Sequence, residues 1–301
     1  MFEFTKGNFF KFGYEDTGWF VNRTSTKQKF VCEYGPAEQR MGFRDANIAA
    51  AKYIEKIATD DIYIMMSGGA DSEITAWSFV DAGIPFKAAI MRFDNNKNEH
   101  DISWADKFCA KHNIPISYYD IEIERFLLSE QFERIVRKYQ TTTERAASIW
   151  CAEQIPGFSV LGQGEPVVTK SFGTWWFQEK EKICTWNKYW IFNNIPGIPG
   201  FHQFSPEQML SVLEDQMTLD LINDKTDYWS NDKFKHLFYQ KHYPEFEIRN
   251  KYTGFEKLAK TLERCRGMVV TTFPYVNGEW QIPIEQALEI FRPLEKRILD
   301  A

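Results

Sequence analysis

Apolar runs alternate with helically spaced apolar residues between residue 43 and residue 161. The uninterrupted runs predict strands at 61–66, 87–93, 116–121 and 158–161. The helically spaced stretches predict helices at 43–58, 67–82 (with a turn at its start), 101–112, 123–139 and 143–153. Such alternation implies right-handed crossovers and a parallel sheet covered by helices on both faces. The predicted fold class is therefore α/β.

The first 42 residues have a different pattern. Residues 1–35 alternate aromatic and polar side chains between glycines, and this alternation predicts short antiparallel strands or hairpins. We therefore expect a small N-terminal β-rich segment at 1–42, followed by an α/β domain at 43–171.

Beyond residue 170 aromatic residues become dense. Residues 172–192 contain eight Trp, Phe and Tyr residues, which form either a core between domains or a wall for a flat substrate such as a nucleobase. The elements predicted after them are helices over most of 206–266, a strand from Met268 to Phe273 and a helix from Ile284 to Ile298. Residues 172–301 are thus expected to form a mostly helical, aromatic-rich domain that binds a substrate or a partner.

Composition excludes several classes of protein. The formal net charge of −6 over 301 residues argues against a general nucleic-acid binder. We expect neither a membrane span nor a secretion signal, and five scattered cysteines without a Cys-x-x-Cys pair suggest reduced thiols in a cytoplasm. The oligomeric state is not predicted.

The most informative segment is the turn between the predicted strand at 61–66 and the helix that follows. It consists of Ser67, Gly68, Gly69, Ala70, Asp71 and Ser72. A strand that turns directly into a helix through small residues directs backbone amides and the positive end of the helix dipole at an anion. Gly68 and Gly69 let the main chain approach a phosphate where a Cβ would collide. The alternative is a tight turn without a ligand.

This turn resembles the pyrophosphate-binding loop of the PP-loop ATP pyrophosphatases, whose motif is Ser-Gly-Gly-x-Asp-Ser. The match is complete, and the resemblance covers roughly residues 45–170. It implies a Rossmann-like, HUP-type nucleotide-binding domain that uses ATP and Mg²⁺. In that family an acceptor oxygen attacks the α-phosphate and expels pyrophosphate, and a nitrogen or sulfur nucleophile then displaces AMP. The pattern of a Walker loop is absent, so γ-phosphate transfer is not expected.

The resemblance also implies roles for single residues. The six residues of the turn would bind ATP, and Asp71 would act in catalysis and bind Mg²⁺; its alternative role is to cap the following helix. Main-chain groups around Met91 would bind adenine. Arg92 either contacts phosphate as a catalytic residue or forms a surface ion pair.

A second segment, Gly162-Gln163-Gly164-Glu165, looks like the phosphate-side loop of asparagine-synthetase-like domains. The resemblance implies that Gly162 and Gly164 bind the nucleotide and that Glu165 supplies an acid to Mg²⁺. The match is partial, because Pro166 stands where that family has a second acid.

Three segments, 67–72, 92–98 and 162–165, follow predicted strands and should meet at the carboxyl edge of the sheet, where ligands bind. Lys170 follows the third segment and is the candidate that reaches the pyrophosphate, with Lys180 and Lys182 as competitors. A solvated lysine is the alternative for each.

The favoured function is an ATP-dependent adenylating enzyme that activates an oxygen of a small molecule or nucleobase for amide or amine formation. Residue 2 is Phe, so the N-terminal cysteine of a glutaminase half is missing, and ammonia would come free or from a separate donor. One rival is sulfur transfer to tRNA or another nucleic acid, for which Cys151 is the candidate thiol; its alternative is core packing. The other rival is a non-catalytic module that binds ATP or AMP.

Overall fold

The structure, a computed structural model, describes residues 10–25, 27–225, 231–272 and 278–293, with the side chains of 231, 232 and 266–272 left undescribed. Its strands form one parallel and two antiparallel sheets. Within the described ranges no helix has the length and apolar character that a membrane span requires.

The N-terminal strands form a small antiparallel sheet. They are β1 (Phe10–Tyr14), β2 (Gly18–Trp19) and β3 (Phe30–Tyr34), and β1 lies between the other two. Phe12, Tyr14 and Phe30 are almost fully buried in its packing. The predicted β-rich segment is therefore present from Phe10, where the described residues begin.

A parallel sheet forms the centre of the fold. Its strands are β4 (Ile62–Met65), β5 (Lys87–Phe93), β6 (Ile116–Ile121), β7 (Phe158–Leu161) and, after β8 and β9 described below, β10 (Gly197–Ile198). The order across the sheet is β10-β7-β4-β5-β6. The four predicted strands agree with the structure to within one residue at each end, which confirms the Rossmann-like α/β class. β10 was not predicted, because two residues are too few to show a strand pattern.

Helices cover both faces of this sheet. They are α1 (Phe43–Ile57), α2 (Ala70–Ala82), α3 (Glu99–His112), α4 (Ile123–Leu127), α5 (Glu130–Tyr139) and α6 (Thr143–Ala152). Alternate residues of β4 enter different cores: Ile64 packs with residues of α1 to α3, and Met65 packs with residues of α4 to α6. This alternation is the two-sided burial that a strand of a covered parallel sheet requires.

The single helix predicted over 123–139 is wrong. The chain forms two helices there, because Ser129 begins a new one: its hydroxyl oxygen accepts a hydrogen bond from the backbone amide of Phe132 at 3.2 Å. Serine is a common N-cap residue, so this helix start could have been predicted from the sequence as readily as the apolar spacing on either side of it.

A further antiparallel sheet lies where mostly helical structure was expected. Its strands are β8 (Val167–Ser171), β9 (Thr174–Lys180) and β11 (Glu279–Pro283), with β9 in the middle. Phe177 of β9 pairs with Val168 on one side and Ile282 on the other, and all three are buried. Part of the aromatic run at 172–192 therefore belongs to the core. Aromatic residues favour strands, so the sequence did contain a signal that could have predicted β9.

The remaining helices are α7 (Thr185–Asn193), α8 (Pro206–Leu213), α9 (Gln216–Ile222), α10 (Asn231–His242), α11 (Ala259–Thr272) and α12 (Ile284–Phe291). The predicted helical stretch at 206–266 is interrupted over 243–254, and residues 226–230 lie outside the described part. The domain boundaries at 42 and 171 stay a prediction; β10, beyond 171, pairs with β7.

The strand predicted from Met268 to Phe273 is wrong. Helix α11 continues to Thr272, and Phe273 lies outside the described residues. Leu258, Leu262 and Cys265 are buried at helical spacing, and the helix they belong to extends through the β-branched residues that follow. The final helix predicted from Ile284 to Ile298 is too long: α12 ends at Phe291, because Arg292 has an extended backbone, and residues 294–298 lie outside the described ranges.

A buried polar cluster connects β3 with β9. The hydroxyl of Tyr34 and the side-chain amide of Gln203 both donate to Oε1 of Glu179, at 2.7 Å and 2.9 Å. Burial of Glu179, which is 3% exposed, raises the pKa of its carboxyl to about 8. The folded protein therefore holds a proton at neutral pH that the unfolded chain releases.

Because of this proton, the free energy of unfolding should fall as pH rises from the ordinary carboxyl pKa to about 8. Glu179→Gln keeps an acceptor oxygen for Tyr34 and Gln203 and removes the titration. We expect the variant to exceed the native chain in stability by roughly 2–4 kcal/mol at about pH 8 and by much less at about pH 5, measured by urea denaturation. An equal difference at both pH values would contradict the burial of an ionisable Glu179.

Candidate functional site

The turn at 67–72, called here the glycine turn, is held by its own hydroxyls and by α3. Ser72 Oγ accepts from the backbone amide of Ser67 at 3.3 Å and donates to the carbonyl of Gly69 at 2.9 Å. Gly68 has φ +78°, and a Cβ there would collide with the carbonyl oxygen of Asp101. Only glycine combines this backbone angle with this close approach.

Helix α2 begins within the glycine turn, at Ala70, and no side chain caps its N-terminal amides. Gly69 is the N-cap residue, and no side-chain hydrogen bond caps the helix. The carboxylate of Asp71 points elsewhere, so the structure does not show the capping role considered as an alternative. The first amides of the helix therefore remain available to an anionic ligand, together with the positive end of its dipole.

Asp71 is instead bound by two side chains of α10. Lys235 Nζ lies 2.7 Å from Oδ2, and the Tyr239 hydroxyl donates to Oδ1 at 2.7 Å. Burial alone would raise the pKa of this carboxyl, but the charge of Lys235 and these hydrogen bonds hold it below its usual value. Asp71 is thus ionised at neutral pH.

Glu165 shares the same cation. Its Oε1 lies 2.6 Å from Lys235 Nζ, so the ammonium bridges Glu165 and Asp71, the two predicted magnesium ligands. Within the described side chains no group of three His, Cys, Asp or Glu converges on a metal position. The two carboxylates nevertheless already hold one cation, and Mg²⁺ typically takes one or two carboxylates and completes its shell with water and phosphate oxygens. The donors therefore fit Mg²⁺ provided that Lys235 withdraws.

A basic cavity of about 710 Å³ opens at the outer side of the glycine turn, next to Asp71. Its basic side chains are those of Lys233, Lys235, Arg249 and Lys251, and His236 also lines it. The guanidinium of Arg249 donates to the carbonyl of Gly68 at 2.9 Å and pairs with Glu73. The Lys251 ammonium lies about 4.0 Å from where a Cβ on Gly69 would be, and none of its contacts with described residues is a hydrogen bond or an ion pair. The cavity therefore suits the outer phosphates of a nucleotide.

A second cavity, of about 430 Å³, lies beyond the carboxyl ends of β4, β5 and β7 and is called here the strand-end cavity. Met91 and Gly162 line it, together with residues of the glycine turn. The Met91 carbonyl accepts from the side-chain amide of Asn98 at 2.9 Å, which fixes this strand end. A Cβ on Gly162 would lie 2.6 Å from Thr75 Oγ1, so glycine permits the contact between this loop and α2. The cavity is suited in position to a nucleoside.

Cys151 lines the strand-end cavity, but its environment disfavours a thiolate. The side chain is 1% exposed, and burial raises the pKa of its thiol to about 12. Such a thiol remains protonated at neutral pH and is a weak nucleophile.

Two predicted catalytic residues lie elsewhere. Arg92 forms a two-point ion pair with Asp120, at 2.7 Å and 2.9 Å, and its guanidinium stacks over Tyr118. Lys170 pairs with Asp224 at 2.5 Å. Neither lines the basic or the strand-end cavity. The structure therefore shows the surface ion pair that was the alternative for Arg92, and it gives Lys170 a carboxylate partner away from Asp71.

Gly164 permits a close approach between its loop and Gln203. It has φ +90°, and a Cβ would lie 2.6 Å from Cβ of Gln203. The residue thus lets the loop at 162–166 bend closely over Gln203 before Glu165 reaches Lys235. No contact in the structure tests its predicted role in nucleotide binding.

The sequence did not single out Lys235, Tyr239, Arg249 or Lys251. Lys235 and Tyr239 lie four residues apart on one face of α10, which is typical of any helix pair. Their partner Asp71 is distant in the chain, so no local pattern connects them. Two short basic runs, at 233–236 and 249–251, are the signals that could have drawn attention to them.

Comparisons with known proteins add little to this geometry. No protein-family model and no curated protein matches the chain. Among solved structures, an NMN synthetase from Francisella tularensis is 16% identical, with 75% of this chain and 93% of that chain covered and a TM-score of 0.32. An NH3-dependent NAD synthetase from Campylobacter jejuni subsp. jejuni NCTC 11168, in complex with the nitrate ion, is 14% identical, with 74% and 94% covered and a TM-score of 0.32. At these TM-scores the two likenesses carry no argument about function.

Replacing Gly68 tests the close approach of the glycine turn to α3. Gly173 also has a positive φ, +81°, but a Cβ there would meet nothing within 4 Å. Both Gly68→Ala and Gly173→Ala should lose about 1–2 kcal/mol of stability from backbone strain. Only Gly68→Ala should lose a further 1–3 kcal/mol or so from overpacking and weaken nucleotide binding at least about tenfold. Thermal melts and calorimetry with ATP would measure both; equal behaviour of the two variants would contradict the contact.

Proposed function

We propose that this chain is an ATP-dependent adenylating enzyme that converts ATP to AMP and pyrophosphate. One observation carries the proposal: the glycine turn separates the strand-end cavity from the basic cavity, and Gly69 and Asp71 line both. Adenosine in the first cavity and the β- and γ-phosphates in the second would leave the α-phosphate at the turn between them. This arrangement supports the resemblance of the turn to PP-loop ATP pyrophosphatases.

The chain's own groups meet the demands of this reaction. The acceptor oxygen attacks the α-phosphorus, the bond to the bridging oxygen breaks, and its electron pair leaves with pyrophosphate. Negative charge grows on the leaving group, where the amides of α2 and the ammonium of Lys251 would stabilise it. A bound Mg²⁺, held by Asp71 and Glu165, would supply further positive charge.

The product class remains part of the proposal. The resemblance of 162–165 favours an asparagine-synthetase-like reaction, in which a nitrogen nucleophile displaces AMP and forms an amide or amine. Ammonia would come from solution or from a separate donor. Helix α10 brings Lys235 and Tyr239 to the turn, which supports the proposal that residues 172–301 contribute to substrate binding.

One observation favours a second candidate, a module that binds ATP or AMP without turnover. Lys235 already neutralises both predicted magnesium ligands, and a nucleotide could bind with the lysine in place. Sulfur transfer is less supported, because the thiol of Cys151 is buried and protonated.

The position of ATP cleavage distinguishes these functions. With ATP labelled at the α- or the γ-phosphate and pooled metabolites and nucleic acids as acceptors, we expect α-label in AMP or an adenylate and γ-label in pyrophosphate. Asp71→Asn should reduce the rate at least about a hundredfold, since it removes one of the two carboxylates that would hold Mg²⁺ at the reacting phosphates. Asp16→Asn, in an exposed turn, should leave the rate unchanged.

Three results would count against the proposal. Label in ADP and phosphate would indicate γ-phosphate transfer. Tight ATP binding without pyrophosphate release would favour the non-catalytic module. Full activity of Asp71→Asn would remove Asp71 from the mechanism.

A further inference from the structure

Arg249 lines the basic cavity, but its guanidinium is already bound to the protein. Its Nε and Nη2 both donate to the carbonyl of Gly68, at 3.2 Å and 2.9 Å. Nη2 also pairs with the carboxylate of Glu73, and Nη1 donates to the carbonyl of Glu247 at 3.2 Å. Four of the five N–H bonds of the guanidinium therefore have protein acceptors.

The packing around Arg249 holds the side chain in place. It is 8% exposed, and the central carbon of its guanidinium lies 4.6 Å from the ring centroid of Trp104 and 5.2 Å from that of Phe246. Its partner Glu73 is 10% exposed. If the guanidinium turned away, it would leave a buried carboxylate and a buried carbonyl without their partner, which is costly in free energy. We therefore expect Arg249 to keep these contacts when a ligand enters the cavity.

The carbonyl that Arg249 binds belongs to the peptide between Gly68 and Gly69. In a trans peptide the carbonyl and the following amide point in opposite directions, so a fixed carbonyl also fixes the amide. The Gly69 amide accordingly points away from Arg249 and donates to Ser67 Oγ at 3.3 Å. This hydrogen bond is long, so a phosphate oxygen can replace it at little cost.

Glycine on both sides makes this peptide easy to turn over. A flip changes ψ of Gly68 and φ of Gly69 by large angles, and glycine accepts such changes where other residues do not. Hydrogen bonds to the carbonyl must therefore select one orientation. Two bonds from one charged guanidinium are stronger and more directional than a single bond from a neutral donor.

The same contacts hold Lys251 over the turn. Lys251 follows Arg249 by two residues, and the next amide, that of Tyr252, donates to Oδ1 of Asp101 at 2.8 Å. The chain is thus attached on both sides of Lys251, whose ammonium lies about 4.0 Å from where a Cβ on Gly69 would be. Lys251 lines both the basic and the strand-end cavity. Arg249 therefore also sets the position of a cation that can reach the phosphates.

We propose that Arg249 is a positioning residue of the nucleotide site and not a phosphate ligand: it directs the Gly69 amide at the nucleotide and keeps Lys251 beside it. This inference rests on the proposed function in one respect, that ATP binds at the glycine turn. When ATP binds, the Gly69 amide leaves Ser67 Oγ and donates to a phosphate oxygen, while the guanidinium stays on Gly68. In the opposite assignment Arg249 turns into the cavity to bind phosphate and releases the Gly68 carbonyl.

The sequence offers a direct probe of this peptide, since Gly68 and Gly69 are the only adjacent glycines in the chain. The protein would be labelled with carbon-13 and nitrogen-15 glycine, with unlabelled serine supplied. An NMR experiment that correlates each amide with the preceding carbonyl (HNCO) then shows a single cross-peak, that of the Gly69 amide with the Gly68 carbonyl carbon. The cross-peak would be followed on addition of Mg²⁺ and α,β-methylene-ATP.

The two assignments predict different changes in this cross-peak. If Arg249 positions the peptide, the Gly69 amide proton moves downfield and the Gly68 carbonyl carbon stays near its position in the free protein. An upfield move of the carbonyl carbon on binding would show that the guanidinium leaves for the phosphates and would overturn the inference. An unmoved Gly69 amide proton, in a complex whose formation calorimetry demonstrates, would overturn it as well. This comparison needs no variant.

Variants measure the effect on affinity. Arg249→Met and Arg249→Lys should each weaken ATP binding at least about tenfold, because lysine keeps the charge but cannot make the two-point contact. Arg44→Met is the matched control: Arg44 also makes a two-point ion pair, with Asp81 at 2.7 Å and 2.9 Å, and lines neither cavity. It should bind ATP as the native chain does, and circular dichroism would confirm that each variant is folded. Native affinity in Arg249→Lys would show that charge alone is sufficient and would overturn the inference.

Calorimetry and the assay of pyrophosphate release separate this inference from the proposed function. A native chain that binds no nucleotide would contradict both. A native chain that binds ATP without pyrophosphate release would contradict adenylation, and the expected NMR changes would still support the role of Arg249. Unchanged ATP binding and turnover in Arg249→Met would overturn the inference and leave adenylation standing.

Discussion

The charge of Lys235 is the interaction on which the arrangement of the site depends. Asp71 from the glycine turn and Glu165 from the loop after β7 each lie within 2.7 Å of its ammonium. Without a cation between them, two partly buried carboxylates would repel each other and separate the loops that carry them. Because Lys235 belongs to α10, this interaction also places a helix from the later part of the chain over the turn and thereby forms a wall of the basic cavity.

The steric constraint at Gly68 has a different effect. Contact with the Asp101 carbonyl holds the turn against α3, and the hydroxyl of Ser72 holds it against the start of α2. The α2 amides therefore have a fixed direction before any ligand arrives, which is the preorganisation that stabilisation of a charged leaving group requires. The basic and strand-end cavities both border this fixed point, since Gly69 and Asp71 line the two of them.

The sequence was sufficient where the signals are local. The strands β4 to β7 were predicted because apolar runs bounded by Gly and Pro have one interpretation in an α/β pattern, and the turn at 67–72 is a contiguous motif. The sequence failed where partners are distant or patterns are short. β10 has only two residues, and β9 pairs with β11, which is distant in the chain. For Arg92 the sequence left open a phosphate contact or a surface ion pair, and it did not indicate Asp120 as the partner. Lys235 and Tyr239, which bind Asp71, have no sequence signal of their own, since residues four apart share a face on any helix.

The central claim is that the glycine turn holds the triphosphate of ATP while Asp71 and Glu165 exchange the Lys235 ammonium for Mg²⁺. A crystal structure with Mg²⁺ and α,β-methylene-ATP, which cannot release pyrophosphate, tests this most directly. The account predicts β- and γ-phosphates on the amides of residues 68–70, adenine beside Met91, and Mg²⁺ on the two carboxylates with Lys235 moved to the phosphates. A nucleotide bound elsewhere, or one bound at the turn with Lys235 still bridging both carboxylates and no metal ion present, would contradict it.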